Sequence, residues 1–312
     1  MTQNPELQGL LALIHGPDSK PTSEVGAAAA REGYVALHNM VDPTDVPIGK
    51  VEDIQFSNGD MEVPVRVYTP VAAPGGALPC LVFFHGGGFV IGDLNSHDAL
   101  CRQLANEGGC KVVAVDYRLA PEHKFPAAVE DAYAALQWVE AQAGRMGIDA
   151  NRIGVGGDSA GGNLAAVVSQ ISNQNNGPEI SFQLLIYPTT QAHKETPSMV
   201  ENGKGFMLEK ATMEWFMECY VPDGVDMADP RLSPLMAKDM SGLPPAYVIT
   251  AQFDPLRDEG KAYADRLRES GVDVTHMHYD DMIHGFFNMT ALVEDGREAV
   301  KHAGKALKAA LT

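Results

Sequence analysis

The chain has 312 residues, of which 45% are hydrophobic and 21% charged, and its net charge at neutral pH is −18. This length suffices for one large α/β domain or two small domains, and the composition is typical of a globular protein. So acidic a chain is repelled by nucleic acid and by anionic lipid surfaces, and we expect neither as a partner.

The four cysteines, Cys80, Cys101, Cys110 and Cys219, form no C-x-x-C pair. Cys80 and Cys110 each border an apolar, strand-like run, so we expect buried free thiols in a reducing compartment. The first six residues carry no basic cluster, and no stretch is apolar over a membrane-spanning length. These features predict a cytoplasmic protein without a signal peptide or a stable membrane association.

Two helical patterns precede any strand pattern. The first covers 7–15 and the second runs from 22 to about 38. Because both come before the first predicted strand, segment 1–45 is expected to lie outside the sheet and to cover another part of the molecule.

The remainder of the chain alternates between strands and helices. Residues at 50–56 and 61–68 alternate in polarity around Asn58-Gly59, which predicts a β-hairpin. Apolar strands separated by helices are typical of a mostly parallel sheet with helices on both faces. We expect strands at 80–84, 111–117, 151–156, 182–187, 247–251 and 272–278, and helices at 96–107, 127–142, 162–170, 258–270 and 292–311.

The stretch from Pro188 to Tyr247 breaks this alternation. It has no strand pattern, yet it carries several large apolar residues. A long insertion after a strand is usually functional, and we interpret 189–240 as a helical cap that acts together with 1–45. The predicted catalytic domain then consists of 46–188 and 241–312.

A nucleophile motif occupies the middle of the chain. Gly157-Asp158-Ser159-Ala160-Gly161 matches G-x-S-x-G, and it lies between a predicted strand and a predicted helix. This corner forces its central residue into a strained backbone conformation, and the flanking glycines remove side chains that would clash there. The motif predicts that Ser159 is a nucleophile; the alternative is a glycine-rich turn without a catalytic role.

A catalytic serine needs a histidine base that a carboxylate orients. Asp254 and His284 follow the last two predicted strands, so the chain order is Ser159, Asp254, His284, which is the order of α/β-hydrolase triads. Asp258 lies nearer the next helix, and we interpret it as a charge at the helix N-terminus.

Three glycines follow the first parallel strand, in the run His85-Gly86-Gly87-Gly88-Phe89. Such a run allows backbone N–H groups to approach a substrate oxyanion. Gly87 and Gly88 are the favoured donors, Ala160 is a third, and Gly86 stays open. The alternative, a phosphate-binding loop, lacks the Lys-Ser/Thr or G-x-G-x-x-G pattern that it needs.

These motifs resemble those of the bacterial hormone-sensitive-lipase-like esterases of the α/β-hydrolase superfamily. The resemblance covers about 81–287, and its motifs are HGGGF at 85–89, DYRLAPE at 116–122, GDSAGG at 157–162, DPLRDEG at 254–260 and HGF at 284–286. It implies an α/β-hydrolase fold with an eight-stranded sheet and a helical cap. The cap would be built from the N-terminus and from the stretch after Pro188.

We therefore predict a serine carboxylesterase that hydrolyses short- to medium-chain esters through an acyl-enzyme on Ser159. No histidine–carboxylate cluster has metal-ligand spacing, and we expect neither a metal nor an organic cofactor. Two alternatives stay open. One is an amidase or peptidase with the same triad, and the other is a ligand-binding module that kept the fold without the chemistry.

Apolar side chains are expected to roof the site and to form a small acyl pocket, in which flexible methionines adapt to the substrate. The alternative is that these side chains only pack against each other as core. The candidate pocket residues are Phe206, Met207, Trp215, Phe216 and Phe286. The expected partner is a small-molecule ester. The resemblance also allows a homodimer, because some relatives dimerise through the edge strand, which here is 272–278.

Overall fold

The computed structural model describes residues 3–16, 20–73 and 75–312. Positions 1, 2, 17–19 and 74 lie outside the described residues. They belong to the predicted segments 1–45 and 46–188, and positions 1 and 2 also belong to the six N-terminal residues from which the absence of a signal peptide is predicted.

One eight-stranded sheet forms the centre of the described part of the chain. Its strands are β1 (Lys50–Asn58), β2 (Met61–Thr69), β3 (Leu78–Phe84), β4 (Lys111–Val115), β5 (Ile148–Asp158), β6 (Phe182–Ile186), β7 (Ala246–Phe253) and β8 (Val274–Ile283). Their order is β1-β2-β4-β3-β5-β6-β7-β8. The pairs β1/β2 and β2/β4 are antiparallel and all other neighbours are parallel. The prediction of a mostly parallel eight-stranded sheet opened by a hairpin is confirmed.

Helices cover both faces of the sheet. The α-helices are α1 (Gln8–Ile14), α2 (Thr22–Val25), α3 (Ala27–Val41), α4 (Asp98–Gly108), α5 (Ala127–Met146), α6 (Ala160–Asn175), α7 (Pro197–Glu201), α8 (Lys210–Tyr220), α9 (Arg257–Glu269) and α10 (Glu294–Ala310). Helices α5, α6 and α9 pack on one face, and α4 and α10 pack on the other. Strand β3 is buried on both sides, because Val82 and Leu81 point into opposite cores.

Among the differences between the predicted and the observed elements, two have a clear local cause. The second N-terminal helix is interrupted at Gly26, whose φ of +79° ends α2 before α3 begins. The last strand runs to Ile283 rather than to 278, because Tyr279 pairs with Ala251 and, after an irregularity in β7, Ile283 pairs with Phe253. Polar residues are tolerated in this segment because β8 is an edge strand, which in the described part of the chain has a neighbouring strand on one side only.

Two helical segments lie outside the sheet. One contains α1, α2 and α3, and the other, between β6 and β7, contains α7 and α8. They meet where α2 packs against α8. Among the described residues, no helix combines the length and the apolar character that crossing a bilayer requires.

A buried glutamate fixes the chain where it leaves β6. Glu259, in the first turn of α9, is fully buried. Its Oε1 accepts hydrogen bonds from the Thr189 hydroxyl at 3.0 Å and from the backbone N–H groups of Thr190 and Gln191 at 2.7 and 3.3 Å. Its Oε2 has no partner among the described residues. Burial outweighs these hydrogen bonds and raises the pKa of Glu259 to about 8.

This raised pKa predicts how the stability of a Glu259→Gln variant compares with that of the wild type. An unfolded glutamate loses its proton near pH 4.3, whereas folded Glu259 keeps it up to about pH 8. Between these values the folded state binds more protons, so the free energy of unfolding of the wild type falls as pH rises. The glutamine variant, which cannot titrate, should gain relative stability over this window by up to about 1.4 kcal/mol per pH unit.

Thermal melts of both proteins from pH 5 to pH 9 would measure this effect. The exposed Glu269, at the other end of α9, supplies the matched control. Glu269→Gln should follow the wild type at every pH. A constant Tm difference between Glu259→Gln and the wild type would contradict the prediction.

Candidate active site

Ser159 lies at the corner between β5 and α6, with φ +56° and ψ −116°. A positive φ is strained for a residue with a side chain, and three backbone hydrogen bonds hold it there, one of them the helical bond that the Asn163 N–H donates to its carbonyl at 3.1 Å. The Ser159 N–H donates to the Ile186 carbonyl at 2.9 Å, and its carbonyl accepts from the Thr189 N–H at 3.2 Å. A Cβ at Gly161 would overlap the Phe84 carbonyl, so only glycine permits this approach of α6 to β3. The structure therefore has the predicted strand, corner and helix.

Ser159, His284 and Asp254 form one hydrogen-bonded line. The Ser159 Oγ lies 3.0 Å from His284 Nε2, and His284 Nδ1 lies 2.8 Å from Asp254 Oδ2. Asp254 is fully buried, and its Oδ1 accepts from the Leu256 N–H at 2.8 Å. Because a buried carboxylate needs donors, Nδ1 carries the imidazole proton and Nε2 accepts from the serine hydroxyl. This arrangement can activate Ser159 as a nucleophile.

The other candidate carboxylate lies away from the histidine. Asp258 accepts a hydrogen bond from the Ser198 N–H at 2.8 Å and pairs with the Arg257 guanidinium at 2.9 Å. It belongs to the first turn of α9. Its contacts match the predicted role as a charge at the helix N-terminus.

The glycine run after β3 offers two free backbone donors rather than three. The Gly86 N–H already donates to Asp158 Oδ1 at 2.8 Å, which removes Gly86 from the candidate donor set and corrects the sequence-based interpretation. The N–H groups of Gly87 and Gly88 find no acceptor among the described residues, and both glycines line the cavity next to Ser159. The Ala160 N–H belongs to the first turn of α6, where helical N–H groups lack intrahelical partners.

Asp158 anchors this turn, a role that the sequence reasoning missed. Its carboxylate is buried and lies 3.2 Å from His97 Nε2, while the Asn288 amide donates to it at 3.4 Å. Burial opposes the charged form, but His97 and the Gly86 N–H outweigh burial and lower the pKa of Asp158. The signal was available in the sequence, since a charged residue that ends a buried strand requires a partner.

Two cavities meet at Ser159. The first, which we call the α3 cavity, has a volume of about 370 Å³. It is bounded by α3, by the turn that follows β3 (85–91, the glycine turn) and by the residues around His284. Its lining includes Tyr34, Leu37, His38, Met207, His284 and Asn288. The second, the α8 cavity, measures about 500 Å³ and lies between α8 and the chain that follows β6. Its lining includes Thr189, Met199, Leu208, Met213, Met217 and Leu256.

Phe216 lies where the two cavities meet. Together with Gly88, Ser159 and Leu208 it lines both of them, and it is 7% exposed. A Cβ at Gly88, whose φ is +60°, would overlap the ring, so the ring packs directly on the backbone of the glycine turn. The ring that lines both cavities therefore rests on one of the candidate oxyanion donors.

The five predicted pocket residues divide between cavity lining and core. Met207 lines the α3 cavity, and Phe216 lines both cavities. Phe206 and Trp215 line neither cavity. The Phe206 ring stacks on that of Phe253 in β7, with 5.3 Å between the ring centres, and the Trp215 ring packs beside Phe216. Phe286 is fully buried among core rings behind His284 and is also absent from both linings.

In the described part of the chain no three metal-ligating side chains are grouped to hold an ion. The metal-free mechanism stays a prediction.

Comparison with known proteins places this geometry in a family. A sequence profile of the alpha/beta hydrolase fold matches residues 81–288. The chain is 46% identical to the carboxylic ester hydrolase LipN of Mycobacterium tuberculosis, over all of this chain and 84% of that one. It is 39% identical to the carboxylesterase NlhH of the same organism, over 98% and 97% of the two chains.

A solved structure resembles the whole fold. The ester hydrolase EH1AB1 from the metagenome of Lake Arreo, complexed with a bipyridine phosphonate derivative, superimposes with a TM-score of 0.96. Its sequence is 42% identical, and the match covers 99% of each chain. The chain therefore belongs to the α/β-hydrolase fold family, in the hormone-sensitive-lipase-like branch that its motifs resemble.

Proposed function

We propose that the protein is a serine carboxylesterase that hydrolyses short- to medium-chain esters through an acyl-enzyme on Ser159. The observation that carries this proposal is the hydrogen-bonded line of Ser159, His284 and Asp254 at the junction of two cavities. The activities named for its relatives LipN and NlhH support it.

In the proposed reaction, the Ser159 oxygen attacks the ester carbonyl while His284 Nε2 takes the hydroxyl proton. The buried Asp254 carboxylate stabilises the imidazolium that forms. The N–H groups of Gly87, Gly88 and Ala160 donate to the oxyanion. Collapse of the tetrahedral intermediate breaks the bond to the alcohol, which receives the proton from His284. Water then attacks the acyl-enzyme by the same steps and releases the acid.

The two cavities suggest which side of the ester each accepts. The leaving alcohol must lie within reach of His284 Nε2, and His284 lines the α3 cavity but is not among the residues that line the α8 cavity. We therefore assign the alcohol to the α3 cavity and the acyl chain to the α8 cavity. The flexible side chains of Met213 and Met217 would adapt the α8 cavity to acyl chains of different shape.

The two helical segments outside the sheet support the predicted domain division. Residues of both segments line the α3 cavity above Ser159. We propose that 1–45 and 189–240 act as one cap, and that 46–188 and 241–312 form the catalytic domain.

Assembly and location are part of the same proposal. Strand β8 ends the sheet, and its unpaired edge could join that of a second copy in a homodimer. Light scattering tests for the homodimer, and a monomer at micromolar concentration would exclude it.

All four cysteines, each within the described residues, are free, which supports a cytoplasmic location. Recovery of the protein outside the cytoplasm in cell fractionation would exclude that location.

The triad assignment makes a prediction about rates. Ser159→Ala and His284→Ala should each lower kcat for an aryl ester by roughly 10⁴-fold, because either change removes the nucleophile or its base. Tm should stay close to that of the wild type, and a serine-directed phosphonate should label the wild type but not Ser159→Ala. Asp254→Asn should also lower kcat strongly, whereas the matched Asp258→Asn should not. Full activity in Asp254→Asn would overturn the assignment of the acid.

The cavity assignment predicts two separable changes of specificity. Met213→Trp narrows the α8 cavity, so kcat/KM should fall roughly tenfold, or about 1.4 kcal/mol, for hexanoate esters and change little for acetates. Leu37→Trp narrows the α3 cavity, so kcat/KM should fall for esters of bulky alcohols instead. Both variants are assayed on one panel in which acyl and alcohol groups vary independently. The assignment is wrong if Met213→Trp discriminates among alcohols rather than acyl chains.

A further inference from the structure

One arginine of the N-terminal segment reaches the glycine turn from outside. Arg31, on α3, donates from Nε to the Val90 carbonyl at 2.8 Å and from Nη2 to the Ala120 carbonyl at 2.9 Å. Its two terminal nitrogens also bind both carboxylate oxygens of Glu122, at 2.9 and 2.7 Å. This hydrogen bond with Arg31 lowers the pKa of Glu122 to about 2. The planar guanidinium is thus fixed by four hydrogen bonds to two segments of the catalytic domain.

Val90 belongs to the turn that presents the candidate oxyanion donors. The Gly87 carbonyl accepts from the N–H groups of Val90 and Ile91 at 3.0 and 2.9 Å, which closes the turn. Phe89, inside it, has φ +64°, a strained value for a residue with a side chain. The Phe89 carbonyl accepts from the Ala120 N–H at 2.9 Å. Arg31 therefore bridges the two chain segments that meet behind the donors.

Arg31 covers the two carbonyls that it binds. Val90 and Ala120 are both 0% exposed with the guanidinium in place. Without Arg31, both carbonyls would lose a charge-assisted donor, and the turn would lose its link to the segment that contains Ala120, which would leave the turn free to shift. A shift of the turn moves the N–H groups of Gly87 and Gly88, which are effective only at 2.7 to 3.1 Å from the oxyanion.

We infer that Arg31 is a positioning residue for the oxyanion donors. It fixes the turn at Val90 and Ala120 and thereby sets the distance of the Gly87 and Gly88 N–H groups from the reacting carbonyl. This inference rests on the proposed esterase function. It gives the N-terminal segment a part in stabilising the transition state, in addition to lining the α3 cavity through neighbouring residues of α3 such as Tyr34.

The test compares three variants with the wild type. Arg31→Gln removes the guanidinium and should lower kcat for a short aryl ester by roughly ten- to a hundredfold, with a change in KM below about threefold, because the donors act in the transition state. Affinity for a trifluoromethyl ketone, which forms an oxyanion on Ser159, should fall by a similar factor. Arg31→Lys, whose ammonium can reach one carbonyl, should restore part of the loss.

Arg102→Gln is the matched control. Arg102, on α4, is 26% exposed against 29% for Arg31, and it also pairs with a carboxylate and donates to a carbonyl, those of Asp98 and Val46. It does not contact the glycine turn. This control should lower Tm about as much as Arg31→Gln does, while leaving kcat and the ketone affinity unchanged.

If Arg31→Gln lowers Tm but keeps the kcat and ketone affinity of the wild type, Arg31 is only structural and the inference fails. Should that variant not fold, Glu122→Gln loosens the guanidinium without removing it. A several-fold lower kcat in the folded Glu122→Gln supports the inference, and an unchanged kcat overturns it. Failure of the proposed function is a separate result, since Ser159→Ala would then retain activity.

Discussion

The structure depends on one close approach, that of the first turn of α6 to the end of β3. Gly161 stands so near the Phe84 carbonyl that a side chain would not fit. This contact forces Ser159 into its positive φ and brings the nucleophile next to the turn that follows β3. The residue just before the serine, Asp158, then lies close enough to bind the Gly86 N–H. Ser159 and the glycine turn are thus fixed to each other through contacts within a few residues.

Around this centre, buried carboxyl groups connect parts of the chain that are distant in sequence. Asp158 joins β5 to the glycine turn, and Glu259 joins α9 to the chain after β6. Asp254 orients His284 from the end of the neighbouring strand. Each carboxylate is desolvated and each accepts backbone N–H groups, which gives the site a rigid frame of directional contacts. The apolar cores on the two faces of the sheet hold this frame without taking part in the chemistry.

Much of the architecture could be predicted from the sequence, because alternating apolar strands and helices have few ways to pack. Ser159, Asp254 and His284 could be predicted to meet, since each follows a parallel strand and such strand ends share one edge of the sheet. The end of β8 could not be predicted, because the polar residues of an edge strand have the same sequence pattern as a loop. Gly86 stayed open as a further donor, because only the folded structure shows that its N–H is bound to Asp158. Phe206 and Trp215 are half-buried and Phe286 is fully buried, and none of them lines the two cavities, so apolar character alone does not predict which rings face a cavity.

The contact between Phe216 and Gly88 has a consequence for how such an enzyme can diverge. The ring that lines both cavities also packs on the backbone of Gly88, one of the proposed oxyanion donors. A mutation that enlarges substrate range by shrinking this ring would also withdraw support from that proposed donor. Selection for new substrates is therefore directed to the outer walls of the cavities, where volume changes leave the turn untouched. At Phe216, a change that widens the range of substrates is expected to slow the reaction.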